Sequence, residues 1–197
     1  MRASRKGASM FARHRALLLL ALALAFVPTA ALAETFQVIS PAFRDGDLVS
    51  ALFAANGVAV DGSQCGGGGQ SPPLAWSGAP DGTKSFAIVA FDPEGRFGLG
   101  VVHWVLYGIP PEVSALPQGA GSSSSPPYVN GLQQYGQPGY RGFCPPRGAA
   151  PHHYLLTVYA TDLAPGALAP GLTRAQVLAA FDKHVLSATS IVARFGR

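Results

Sequence analysis

The chain has 197 residues, 48% of them hydrophobic and 12% charged, with 24 Gly, 17 Pro and two Cys. Its formal net charge is +4, but five of its 14 basic residues and none of its ten acids lie within residues 1–33, so the remaining 164 residues carry a balance of about −1 with His neutral. That balance gives no support to a nucleic-acid footprint, which needs clustered cations, and the length suits one domain with one core.

In chain order, residues 1–33 read as an address. Arg2, Arg5, Lys6, Arg13 and Arg15 form a basic opening, and Ala16 to Val27 is unbroken apolar sequence. Pro28 and Thr29 break it, and Ala31-Leu32-Ala33 places small residues at −3 and −1. This pattern predicts a signal peptide cleaved after Ala33, a domain over 34–197, and a periplasmic or secreted protein. The alternative is an uncleaved anchor, but the apolar run is shorter than the roughly 18–20 residues a spanning helix needs. No later stretch is long and apolar enough to span. Export permits a disulfide between Cys65 and Cys144, with two independent thiols as the alternative.

After the leader, Phe36 to Ile39 reads as an opening strand, Ala42 to Asp47 as a turn, and Val58 to Asp61 as a short edge strand. Residues 62–73 are a Gly/Pro loop, and Leu74 to Trp76 resumes extended chain. Pro80 to Thr83 is a turn signal. Ser85 to Phe91 is an apolar strand ended by Asp92-Pro93. Val101 to Ile109 is another, and strict pleating puts Val101, His103, Val105 and Tyr107 on one face and Val102, Trp104 and Leu106 on the other. Both faces are apolar, so this strand is expected at the centre of a sheet. Residues 117–127 form a small polar loop. Tyr154 to Thr161 is a third buried strand. Thr173 can cap a late helix near 173–185, with Val177, Leu178, Phe181 and Val185 on one face. Ser190 to Phe195 gives a last strand. Strands and turns followed by one helix favour a mainly β sandwich over alternating βαβ.

Four His follow the leader: His103, His152, His153 and His184. His103 lies inside an apolar strand, His152 and His153 immediately precede another, and Asp92 closes a third. An acid and imidazoles at neighbouring strand ends can line a cleft. The plainer alternatives are a satisfied core histidine for His103 and a turn-former for Asp92. Residues 138–148, PGYRGFCPPRG, alternate Gly and Pro; such a loop can offer backbone N–H groups to an anion or serve only as a crossover.

These segments carry a resemblance. Ser71-Pro72-Pro73-Leu74-Ala75-Trp76, Phe91-Asp92-Pro93-Glu94, the run His103 to Pro110, and Gly139 to Gly148 followed by His152-His153-Tyr154 resemble, in order and spacing, four blocks of the phosphatidylethanolamine-binding protein (PEBP) family, Raf-kinase-inhibitor-like branch. The resemblance implies a Greek-key β-sandwich with one or two short helices. It also implies a small pocket for phosphate-type anions or phosphoethanolamine-like head groups. It places Asp92, Glu94, His103, Tyr140, Gly142, Pro146, His152 and Tyr154 at that pocket, with no metal and no cofactor. Inhibition of a protease or kinase target is a further family trait. Two imidazoles can donate charge-assisted bonds to phosphate oxygens, so anion affinity is expected to weaken as pH rises through the histidine range. Departures are Glu94 for a second Asp, Gly95-Arg96-Phe97-Gly98 where Ala-Pro is usual, Phe143 for Pro, and His153 for Arg, which removes a permanent fork of donors. The competing reading is a metal-dependent hydrolase using Asp92, His103 and His152, or an envelope protein that binds a partner through 117–127. No GxSxG nucleophile elbow is present.

Overall fold

The computed structural model describes residues 34–122 and 128–197. The signal peptide expected over 1–33, and residues 123–127 of the expected polar loop, lie outside the described residues.

Among the described residues, eight strands form two antiparallel sheets. The smaller sheet has the order β1-β2-β5, from Gln37–Ile39, Leu74–Ser77 and Ala115–Leu116. The larger has the order β6-β4-β3-β7-β8, from Val129–Asn130, Val101–Ile109, Ser85–Asp92, His152–Thr161 and Val185–Phe195. β3 and β4 are buried on both faces, as their continuous apolar composition requires.

The main core lies between the sheets. Val38, Leu74, Trp76 and Leu116 of the small sheet meet Phe86, Ile88, Ala90, Trp104, Leu106, Tyr154, Leu156 and Val158 of the large one. On the outer face of the large sheet, Ala87, Val105 and Tyr107 pack against Val177 of α1, Arg174–Ala180, the one α-helix among the described residues, and against its C-cap Phe181. Thr173 caps α1 in a capping box with Gln176. The helix is shorter than the span 173–185: Lys183 takes φ 65°, which turns the chain, and Val185 opens β8 with its side chain exposed.

Two other expectations change. Val58 to Asp61 forms no strand, only a bridge from Val58 to Gln64. The strict pleat of β4 also breaks. Ala90 pairs with Trp104 and Phe91 with Val102, leaving His103 as an extra residue in a β-bulge. His103 therefore turns to the inner face with Trp104, against Phe143 and Tyr154, and not to the outer face with Val105 and Tyr107. A second irregularity lies between the Phe86 and Ile88 pairings; there Gly108 takes φ 68°, and a Cβ on it would sit 2.3 Å from the Pro165 carbonyl oxygen.

Cys65 and Cys144, 79 positions apart, form a disulfide with Cα atoms 5.4 Å apart, tying the Gly-rich loop to the segment before β7. Among the described residues, no helix is long and apolar enough to cross a membrane.

Candidate functional site

Asp92, His103 and His152 come from adjacent strands, since β3 lies between β4 and β7. All three side chains open into one cleft of about 710 Å³ at an end of the sandwich. Asp92 ends β3 in phase with the inward-facing Phe86, Ile88 and Ala90, and His152 opens β7 in phase with Tyr154 and Leu156. The bulge in β4 supplies the third member.

Asp92 is buried and fully engaged. Its Oδ1 accepts bonds from the backbone N–H groups of Glu94 and Gly95, both 2.9 Å, and its Oδ2 accepts from His152 Nδ1 at 2.8 Å. It is thus both the turn-former before Pro93 and a partner of the cleft histidine. Burial raises its carboxyl above the ordinary value, and the opposing pull of His152 does not cancel that. Glu94 lies nearer solvent. Burial pushes its carboxyl up, but the side-chain and backbone donors of His153, at 2.7 and 3.2 Å, outweigh this and hold it below its usual range.

His103 donates from Nδ1 to the Arg141 carbonyl at 2.9 Å. Burial lowers its pKa to about 4, so at neutral pH the ring is uncharged. With the proton on Nδ1, Nε2 carries a lone pair and acts as an acceptor. A neutral His103 cannot carry the expected loss of anion affinity across the histidine range.

Of the expected site residues, Asp92, Glu94, His103, Pro146 and His152 line the cleft. Tyr140, Gly142 and Tyr154 stand behind it. Tyr140 donates to the Phe53 carbonyl at 2.7 Å and packs edge-on against Trp104. Gly142 lies so close to the Ala54–Ala55 backbone that a Cβ would approach Ala55 N to 2.2 Å. Tyr154 is buried under Phe143 and His103, and its hydroxyl has no bonding partner among the described residues.

The arginines Arg96, Arg141 and Arg197 also line the cleft; Arg96 and Arg141 stand in segments that the sequence singled out, whereas nothing local pointed to Arg197. Arg197 reaches it from the far end of the chain: Nη1 donates to Ser63 Oγ at 2.9 Å and to the Gln64 carbonyl at 2.8 Å, and Nη2 lies 4.0 Å from Asp61. These guanidiniums supply permanent donors to the cleft. With Asp61, Asp92 and Glu94 opposite three arginines, the lining is mixed in charge. His184 lies away from it and donates to Asp162 at 2.7 Å. A cation could be held by Asp92, Glu94 and His152, whose ligand atoms lie within 4.8 Å of one another; His103 is outside that group.

The family profile described as phosphatidylethanolamine-binding protein matches residues 39–196. YbcL of Escherichia coli K12 is 38% identical over 147 residues, covering 73% of this chain and 78% of YbcL. A Mycobacterium tuberculosis H37Rv protein named as a lipoprotein, LppC, is 36% identical over 154 residues, covering 75% of this chain and 67% of LppC. The crystal structure of E. coli YbcL, described as a member of the mammalian PEBP family, matches with a TM-score of 0.74 and 32% identity over 82% of this chain and 98% of that one.

Proposed function

This chain belongs to the phosphatidylethanolamine-binding protein family, and from that premise we propose that it is an exported binding module for phosphate-type anions, with a zwitterionic, phosphoethanolamine-like head group as the best-matched ligand. The observation that carries this reading is the convergence of Asp92, His103 and His152 from three adjacent strands on one cleft that also holds three arginines. Guanidiniums match phosphate oxygens in geometry and charge. Neutral His103 and the carboxylates accept bonds, which suits an ammonium or a protonated phosphate oxygen. A ligand with both charges satisfies both halves of the lining; a bare dianion satisfies one.

Export rests on the leader pattern of residues 1–33, with cleavage after Ala33 leaving the 34–197 domain. A relative named as a lipoprotein is consistent with a life outside the cytoplasm. An inhibitory role toward a protease or kinase rests on the family resemblance alone.

The test is calorimetric titration with inorganic phosphate, phosphoethanolamine and ethanolamine. His103→Ala is expected to weaken phosphoethanolamine binding by about tenfold or more, the worth of a bond to a charged group, while His184→Ala leaves it unchanged. Equal effects of the two substitutions, or no heat with any of the three compounds, would sink the reading. A second reading has its own observation, the Asp92, Glu94 and His152 cluster. Its hydrolase form expects stoichiometric zinc or iron in the purified protein, measured by elemental analysis, with activity lost on chelation.

A further inference from the structure

The three most exposed large apolar side chains among the described residues are Phe97 at 107%, Val60 at 87% and Leu99 at 76% relative exposure. All three rim the same cleft. Exposed apolar side chains scattered singly need no explanation, but a cluster around one opening does.

The loop that presents Phe97 and Leu99 is built rather than slack. Arg96 and Phe97 both take left-handed backbone, at φ 52° and 58°, a conformation that non-glycine residues hold only where their surroundings impose it. Backbone bonds from Gly98 to Glu94, Leu99 to Arg96 and Gly100 to Gly95, at 3.1, 3.3 and 2.8 Å, close the loop on itself. Its base is tight: a Cβ on Gly95 would lie 2.5 Å from Val101, one on Gly100 would run into the Phe91 ring, and the Arg174 guanidinium lies over that ring at 4.5 Å. Phe97 is therefore held outward by a rigid base, and inserting it elsewhere requires little ordering.

The rim's acids are engaged by hydrogen bonds, and two of its cations are not paired with a carboxylate among the described residues. Glu94 is engaged by His153, and Asp61 by Ser63 and Arg197. Arg96 is exposed and Arg141 lies over the Tyr135 ring at 4.2 Å; neither has a carboxylate partner among the described residues. Apolar side chains projecting beside unpaired arginines match the interface of a bilayer, where acyl chains lie beneath phosphates.

We propose that Phe97, Leu99 and Val60 form a docking wedge by which the protein seats its cleft against a bilayer surface carrying anionic phospholipid. Arg96 and Arg141 meet the lipid phosphates, and the cleft mouth then faces the head-group layer. The wedge does not require an occupied cleft.

Fluorescence tests this directly, because the native Trp76 and Trp104 are 5% and 0% exposed and out of reach of lipid. Phe97→Trp in the full chain reports on the wedge. Leu186→Trp, in β8 at the opposite end of the large sheet, is the control and shares any contribution from the rest of the chain. With vesicles of phosphatidylethanolamine and phosphatidylglycerol bearing brominated acyl chains, the Phe97→Trp emission is expected to shift to the blue and be quenched, more weakly with phosphatidylcholine vesicles, while Leu186→Trp is unchanged. The Phe97→Ser/Leu99→Ser variant is expected to lower the vesicle-bound fraction by about tenfold or more in sedimentation. Absence of quenching, equal quenching of the two tryptophans, or equal quenching by phosphatidylcholine overturns the proposal. A blue shift that follows protein concentration and not lipid assigns the face to a second copy of the chain and overturns it too. Phosphoethanolamine titration reads the cleft separately, so failure of one reading leaves the other distinguishable.

Discussion

His103 joins the local chemistry of the cleft to stability. Its ring is buried against Phe143 and Tyr154 with Nδ1 bonded to a backbone carbonyl, and its pKa falls from 6.5 to about 4. The unfolded chain accepts a proton at higher pH than the folded one, so the stability contributed by the neutral ring is present above pH 6.5. It is lost as pH falls from 6.5 towards 4, by up to about 3 kcal/mol at 1.36 kcal/mol per pH unit. Urea midpoints measured across that window are expected to fall more steeply for the wild type than for His103→Gln; parallel curves would refute the assignment. At Asp92 the sequence offered a turn-former and a site acid as rivals; one oxygen holds the turn before Pro93 and the other holds His152 at the cleft, so the first role leaves room for the second.

At the scale of elements, the bulge in β4 matters most. A regular strand would have sent His103 to the face that packs on α1, away from Asp92 and His152; one extra residue opposite the Ala90 and Phe91 pairings returns it to the inner face. Bulges recur beside functional sites because they re-aim one side chain without moving the strand. The helix on the opposite face is seven residues long and depends on its cap. Thr173→Ala removes the bond to the Gln176 N–H and is expected to cost about 1 kcal/mol, or about 3 °C in Tm for a domain of this size. Thr173→Ser should restore most of it in the same thermal scan. An unchanged Tm for the alanine variant would mean that packing of Val177 and Phe181 alone holds the helix.

For the molecule as a whole, the Cys65–Cys144 bond joins distant parts of the chain beside the cleft, and Pro145 and Pro146 follow it into the lining. Closing a loop of this length is expected to contribute about 4 kcal/mol through the unfolded state. Reductant should therefore lower the denaturation midpoint of the wild type to near that of Cys65→Ser, and a midpoint indifferent to reductant would exclude the contribution. Processing is read by intact mass: the exported protein is expected to begin at Glu34, and retention of residues 1–33 would replace a cleaved leader by an anchor.

The long strands, the Thr173 cap and the sandwich class were legible from the sequence because apolar runs, Gly/Pro punctuation and capping residues act over a few positions; the two-residue strands β5 and β6, and the failure of Val58 to Asp61 to pair as a strand, were not. The four motif blocks identified the family because their order and spacing are properties of the chain itself. The rest depended on distance in space. The face of His103 depended on a cross-strand register shift, and Arg197 enters the cleft only because β8 returns beside β7. Phe97 stood in a segment that departs from the family pattern, but only the fold places it with Leu99 and Val60 at one rim. Local patterns determine elements; which side chains share a cleft is decided by pairings between residues remote in the chain, and no local signal encodes those.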